Sequence, residues 1–201
     1  MITKLIGDIR PERRNLWLAI AAVAFGQAAV LGWMIWDRVA LLASGREVLL
    51  DVVPVDPRSL FRGDYVVLGY DISRFKLPAG MAAPERNAPF YITLRKGAGD
   101  TWQAVAGSAE TPAQVQPDEA VIKGRVDYVA LPPSGQKQEA TVIGLHYGIE
   151  SFFVPEGSGR ELETMVGDKK ISALIAIGSG GEAAIKGLIS EGKRVYDEPL
   201  L

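Results

Sequence analysis

The chain contains no cysteine and a single histidine. Without thiols there is no disulfide framework, no thiolate nucleophile and no cysteine-based zinc site. One histidine cannot build a multi-histidine metal centre or a two-histidine relay, and no metal site is expected. Charge of one sign is lacking too: 22 basic against 24 acidic residues leave a formal net charge of −2. That balance gives no electrostatic footprint for a nucleic acid. No cofactor signature stands out. "GSGG", residues 178 to 181, has neither a Lys-Ser/Thr pair nor a long helix after it, so it reads as a hairpin turn and not a phosphate-binding loop.

What is present is apolar. Hydrophobic residues make up 48% of the 201, enough for one domain with an appendage. The appendage is legible at residues 16 to 36, "LWLAIAAVAFGQAAVLGWMIW", where only Gln27 is strongly polar and no residue is charged. As a helix this run reaches about 30 Å, the thickness of a bilayer core. It lacks the polar stripe of a soluble helix, and Trp17, Trp33 and Trp36 stand at its ends, where an aromatic belt belongs. Lys4, Arg10, Arg13 and Arg14 precede it, and Arg38 and Arg46 follow. That bias predicts a cytoplasmic segment 1–15, a transmembrane helix 16–36, a linker 37–45 and an extracytoplasmic domain 46–201. A cleaved signal peptide is the rival reading. It is disfavoured because the run is long and "ALLASG" offers Leu41 where a small residue is wanted.

Beyond Ser44 the texture is that of strands. Val48, Leu50 and Val52 alternate with Leu49, Asp51 and Val53. "YVVLGYDI" puts Val66, Leu68, Tyr70 and Ile72 on one face and Tyr65, Val67, Gly69 and Asp71 on the other. "FYITLRKGAGDTWQAVAG" predicts a hairpin turning at Gly97 to Asp100. "AVIKGRVDYVAL", "ATVIGLHYGIESFFV" and "ISALIAIG" are further strand-like runs, and "AAIKGLIS" has Ala183, Ile185 and Ile189 as its apolar set. One short helix is predicted near 159–166, from Ser158 and Glu161 at capping-box spacing and Gly167 as a C-cap. The expected fold is mainly β, an antiparallel sandwich or small barrel behind one membrane helix.

The candidate sites are few. "P-x-x-L-x-x-G-D-x-V", Pro57 to Val66, is similar to the segment after the nucleophile in membrane-anchored signal peptidases. Their serine precedes the proline. Here "VVPVDP" has none, Ser59 follows instead, and no lysine base stands in the pattern, so no catalytic residue is assigned. His146, in "GLHYGI", reads as an ordinary strand residue. Glu150, Glu156, Glu161 and Glu163 cluster with Arg160, a grouping that suits capping and solvation better than an acid pair.

A closer resemblance rests on Gly63-Asp64-Tyr65-x-x-Leu68-x-Tyr70 and on "YGIESFFVPEGSGRELE", residues 147 to 163. Both blocks, in this order after an N-terminal anchor, resemble the GDYXXLXY family of bacterial membrane-anchored proteins. The resemblance implies a protein that accompanies a multi-pass membrane protein, and it assigns no catalytic residue. The expected role is therefore a non-catalytic accessory or interaction subunit at the bilayer. The alternatives are a hydrolase of cell-envelope substrates or a lipid- or glycan-binding module. Gly63, Leu68 and Tyr70 are expected to hold the fold. Arg62, Asp64 and Tyr65 are expected to form the surface offered to a partner.

Overall fold

The computed structural model describes residues 13–53, 65–78, 80–97, 99–130, 140–153, 171–190 and 192–197. It divides into two units, Met1–Val39 and Ala40–Leu201.

The first unit is dominated by one helix. α1 runs over Arg13–Ser44, so the helix continues through most of the stretch predicted as a linker. Nothing in residues 37–44 opposes helix: the stretch has neither proline nor glycine. Gly45 ends it. Its N–H donates to the Leu41 carbonyl at 2.8 Å. A Cβ at that position would lie 2.5 Å from the same oxygen. The segment Asn15–Ser44 is long and apolar enough to cross a membrane, and none of its apolar window is buried within the chain. Trp17, Trp33 and Trp36 are exposed along it.

The second unit is β. Its strands are β1 (Arg46–Val53), β2 (Tyr65–Val67), β3 (Gly69–Tyr70), β4 (Arg74–Lys76), β5 (Pro89–Lys96), β6 (Trp102–Ser108), β7 (Glu119–Ala130), β8 (Val142–His146), β9 (Ser151–Phe153), β10 (Ile171–Ile177), β11 (Ala183–Ser190) and β12 (Lys193–Asp197). They form two five-stranded sheets, ordered β12-β11-β10-β1-β3 and β4-β8-β7-β5-β6, and a two-stranded ribbon of β2 and β9. Every pairing is antiparallel. The core joins inward residues of both sheets: Val48, Leu50, Val52, Ala173 and Ile175 from one, Phe90, Ile92, Leu94, Ile122 and Ile143 from the other. No polar or charged residue is buried among the described residues. Removing this apolar surface from water is what holds the sheets together, since antiparallel sheets with one solvated face have no other large driving term.

Most strands follow their alternation. Val48, Leu50 and Val52 are buried in β1, and the β5–β6 hairpin closes through the Gly97 N–H bond to Thr101 O. Two readings need correction. "YVVLGYDI" is not one strand: pairing stops at Leu68, whose N–H donates to Glu150 O, and Asp71–Ser73 form a 3-10 turn. The chain changes partner there, from β9 to β1. In β11 the buried residues are Ala184, Ile185, Gly187 and Leu188, not the set Ala183, Ile185 and Ile189. The register against β10 jumps from Ile185 to Gly187, so Lys186 is a bulge that reverses the alternation after it. The helix predicted near 159–166 lies outside the described residues, as do Arg160, Glu156, Glu161 and Glu163.

Candidate functional site

The chain crosses between sheets twice in the same neighbourhood. On the first crossing, β3 leads through the Asp71–Ser73 turn into β4. On the second, β8 leads through Tyr147–Glu150 into β9. Ribbon pairs Tyr65↔Phe153, Val66↔Phe152 and Val67↔Ser151 draw the crossings together.

Two buried tyrosines lock them reciprocally. Tyr70 Oη donates to Ile149 O at 2.7 Å, and Tyr147 Oη donates to Ile72 O at 2.7 Å. Each ring sits in the core of one crossing and satisfies a carbonyl of the other. Burial pushes both phenols well above their ordinary range, and the Glu150 charge adds to the shift. The hydroxyls therefore stay protonated as donors.

Glu150 organises the second turn. Its carboxylate accepts from Tyr147 N–H at 2.6 Å and Gly148 N–H at 2.8 Å, while Gly148 takes φ +80°. It also lies 3.1 Å from Nδ1 of His146. His146 is the exposed last residue of β8, and Glu150 is a turn cap rather than half of an acid pair. Among the described residues no group of three or more histidine and carboxylate side chains is placed to hold a metal.

Against these crossings lies a cavity of about 790 Å³, lined among others by Leu68, Gly69 and Tyr70 of the first block, Asp71 just after it and Glu150 of the second. Arg74, Asp127, Tyr128, Gly144 and His146 complete its polar wall. Ser73 lines it too, and its hydroxyl oxygen is buried with no hydrogen-bond partner among the described residues. The size falls within the range of small-ligand pockets, about 300–1,000 Å³.

The predicted site residues separate into two groups. Leu68 and Tyr70 are core, as expected of residues that hold the fold. Arg62, Gly63 and Asp64 lie outside the described residues. Tyr65 enters only as backbone, paired with Phe153. Asp127, Tyr128 and Arg74 carried no expectation. A sequence pattern could not have found Tyr128, because regular alternation would turn it inward and a bulge brings it to the surface.

The model of the family described as GDYXXLXY protein matches residues 27–188. The chain belongs to the GDYXXLXY family. The match takes in part of the apolar helix and the β domain into β11, and both sequence blocks fall inside it. No curated protein and no solved structure matches the chain. In this member of the GDYXXLXY family, the first block reaches the second through Leu68 N–H to Glu150 O and Tyr70 Oη to Ile149 O.

Proposed function

We propose that this GDYXXLXY protein is a single-pass bacterial inner-membrane protein with a cytoplasmic N-terminus, whose β domain stands outside the cytoplasm as a non-catalytic accessory subunit of a membrane complex. The observation that carries this reading is the joining of the two family blocks into one seam behind a membrane-competent helix. A seam built from backbone carbonyls and buried tyrosines makes a rigid platform, not a reaction centre. The partner-facing surface is assigned to Arg62, Asp64 and Tyr65, at the start of the strand that enters the seam.

Orientation follows from the basic flank of the helix. A periplasm-active reporter fused after Leu201 should be active, and a reporter active only in the cytoplasm should not. For the partner, the full-length tagged chain should be purified from detergent-solubilised membranes and its companions identified by mass spectrometry. The wild type should retain a multi-pass membrane protein. Tyr65→Ala should retain less of it with an unchanged melting temperature. Equal retention by both, or no integral membrane protein at all, would remove this reading.

The hydrolase alternative has one observation in its favour, an imidazole beside a carboxylate, with His146 Nδ1 3.1 Å from Glu150. No hydrogen bond joins His146 to a hydroxyl nucleophile among the described residues, so the pair lacks the second member that covalent catalysis needs.

A further inference from the structure

The outer face of β7 and β8 departs from regular sheet at one point. The register runs Arg125↔His146, Val126↔Leu145 and then Tyr128↔Gly144. Asp127 is the extra residue of a β-bulge. Up to Val126 the strand alternates, with Ile122, Gly124 and Val126 inward. The bulge breaks that alternation, so Asp127 and Tyr128 are both exposed. Two consecutive side chains of different chemistry thereby share the cavity wall.

Gly144 determines how Tyr128 lies. A Cβ at Gly144 would fall 2.1 Å from Cε1 of Tyr128, 2.5 Å from Cδ1 and 2.6 Å from Cζ. The ring therefore occupies the space that any other residue would fill, resting on the bare backbone of β8. On the other side of Gly144 the ladder places Arg74 of β4. Tyr128 remains 43% exposed, so one face of a seated aromatic ring is open beside Arg74, Asp127 and His146.

We infer that this cavity is a binding site for a short, neutral oligosaccharide, with Tyr128 as its stacking platform. A sugar ring presents an apolar face of C–H groups and a rim of hydroxyls. The first matches an open aromatic ring resting on the Gly144 backbone, and the second matches donors and acceptors of both kinds within one wall. Arg74 donates, Asp71 and Asp127 accept, and the His146 imidazole adds a further polar edge. The buried, unpartnered hydroxyl of Ser73 is a further polar group on the same cavity.

The charges select against ionic ligands. Asp71, Asp127 and Glu150 outnumber Arg74 on the lining, which disfavours an anion. Glu150 is already engaged by two backbone N–H groups and His146, and Asp127 lies 3.6 Å from Arg86, which leaves little pull on a cation. A volume of about 790 Å³ suits a short oligosaccharide better than a single ring.

This inference rests on the cleft and not on the membrane partner, so either proposal can fail alone. The test uses the full-length protein in lipid nanodiscs, with maltotriose, chitotriose and the acidic trigalacturonate as probes, read by saturation-transfer NMR and calorimetry. At least one neutral trisaccharide should bind at millimolar concentration or below, and trigalacturonate more weakly. Tyr128→Ala should weaken binding by about tenfold, the worth of one aromatic contact. Tyr128→Phe should bind like the wild type, and melting temperatures should report that both variants are folded. The inference is overturned if neither neutral trisaccharide binds, if trigalacturonate binds as tightly, or if folded Tyr128→Ala binds undiminished.

Discussion

At the seam, Tyr70 and Tyr147 are buried and donate their hydroxyls to carbonyls of the opposite crossing; on the adjoining cavity wall, Tyr128 lies over a glycine with its ring in solvent. The same residue type serves two regions in opposite ways. In the seam the polar end is the working part, because a buried carbonyl without a donor costs about 1–3 kcal/mol. On the wall the ring face is the working part, and the hydroxyl has no buried carbonyl to satisfy. Holding the fold and offering a surface are thus divided between neighbouring tyrosines.

The comparison extends to glycine. A Cβ at Gly124 would lie 2.9 Å from Cε1 of Tyr147, and one at Gly144 would lie 2.1 Å from Cε1 of Tyr128. Overlap alone ranks Gly144 as the worse site for a side chain. Freedom of the ring reverses that order, since Tyr147 is buried and tethered through its hydroxyl to Ile72 O whereas Tyr128 can swing outward.

The largest expected effect is at Tyr70. Tyr70→Ala removes a buried ring and a hydrogen bond and should lower stability by about 3–5 kcal/mol, measured by urea denaturation of the full-length protein in detergent. A loss below about 1 kcal/mol would mean that the seam does not hold the domain. Next in size is the glycine pair. Gly124→Ala should cost about 1–3 kcal/mol by overpacking, and Gly144→Ala less than that. The reverse order would show that Tyr128 is as firmly held as Tyr147.

Alkali should act on the seam alone. Both buried phenols have folded pKa values raised above that of the unfolded chain, so their stabilisation is complete below the unfolded value, about 10. It is lost as pH rises beyond that point, by about 1.4 kcal/mol per pH unit for each tyrosine. Denaturation midpoints from neutrality to pH 11 should fall once pH 10 is passed. Tyr70→Phe should show about half the slope of the wild type. Equal slopes would mean that Tyr70 does not contribute to the alkaline loss. At the small end, Asp127→Asn on the wall should change stability by no more than about 0.5 kcal/mol.

Much of the fold was legible because it rests on local pattern. Period-two alternation located β1, glycine and aspartate marked the β5–β6 turn, and an uncharged run identified the helix. The seam was only half legible. Leu68 and Tyr70 announced themselves as core, but the break at Leu68 arises from a hydrogen bond to Glu150, far along the chain. No local spacing encodes that partner. The bulges at Asp127 and Lys186 were invisible for a related reason. A bulge is a mismatch between two strands, and a single strand read alone carries no sign of it. This is why β11 was given the wrong inward set, and why the cavity wall escaped notice.

The division between holding and offering is tested most directly by removing one oxygen atom from each region. Tyr147→Phe and Tyr128→Phe keep the rings and delete only the hydroxyls. Their denaturation midpoints should be measured side by side with the wild type. Tyr147→Phe should lose about 1–3 kcal/mol, because the Ile72 carbonyl is left buried and unsatisfied. Tyr128→Phe should be indistinguishable from wild type. Equal losses, or an unchanged Tyr147→Phe, would contradict the division.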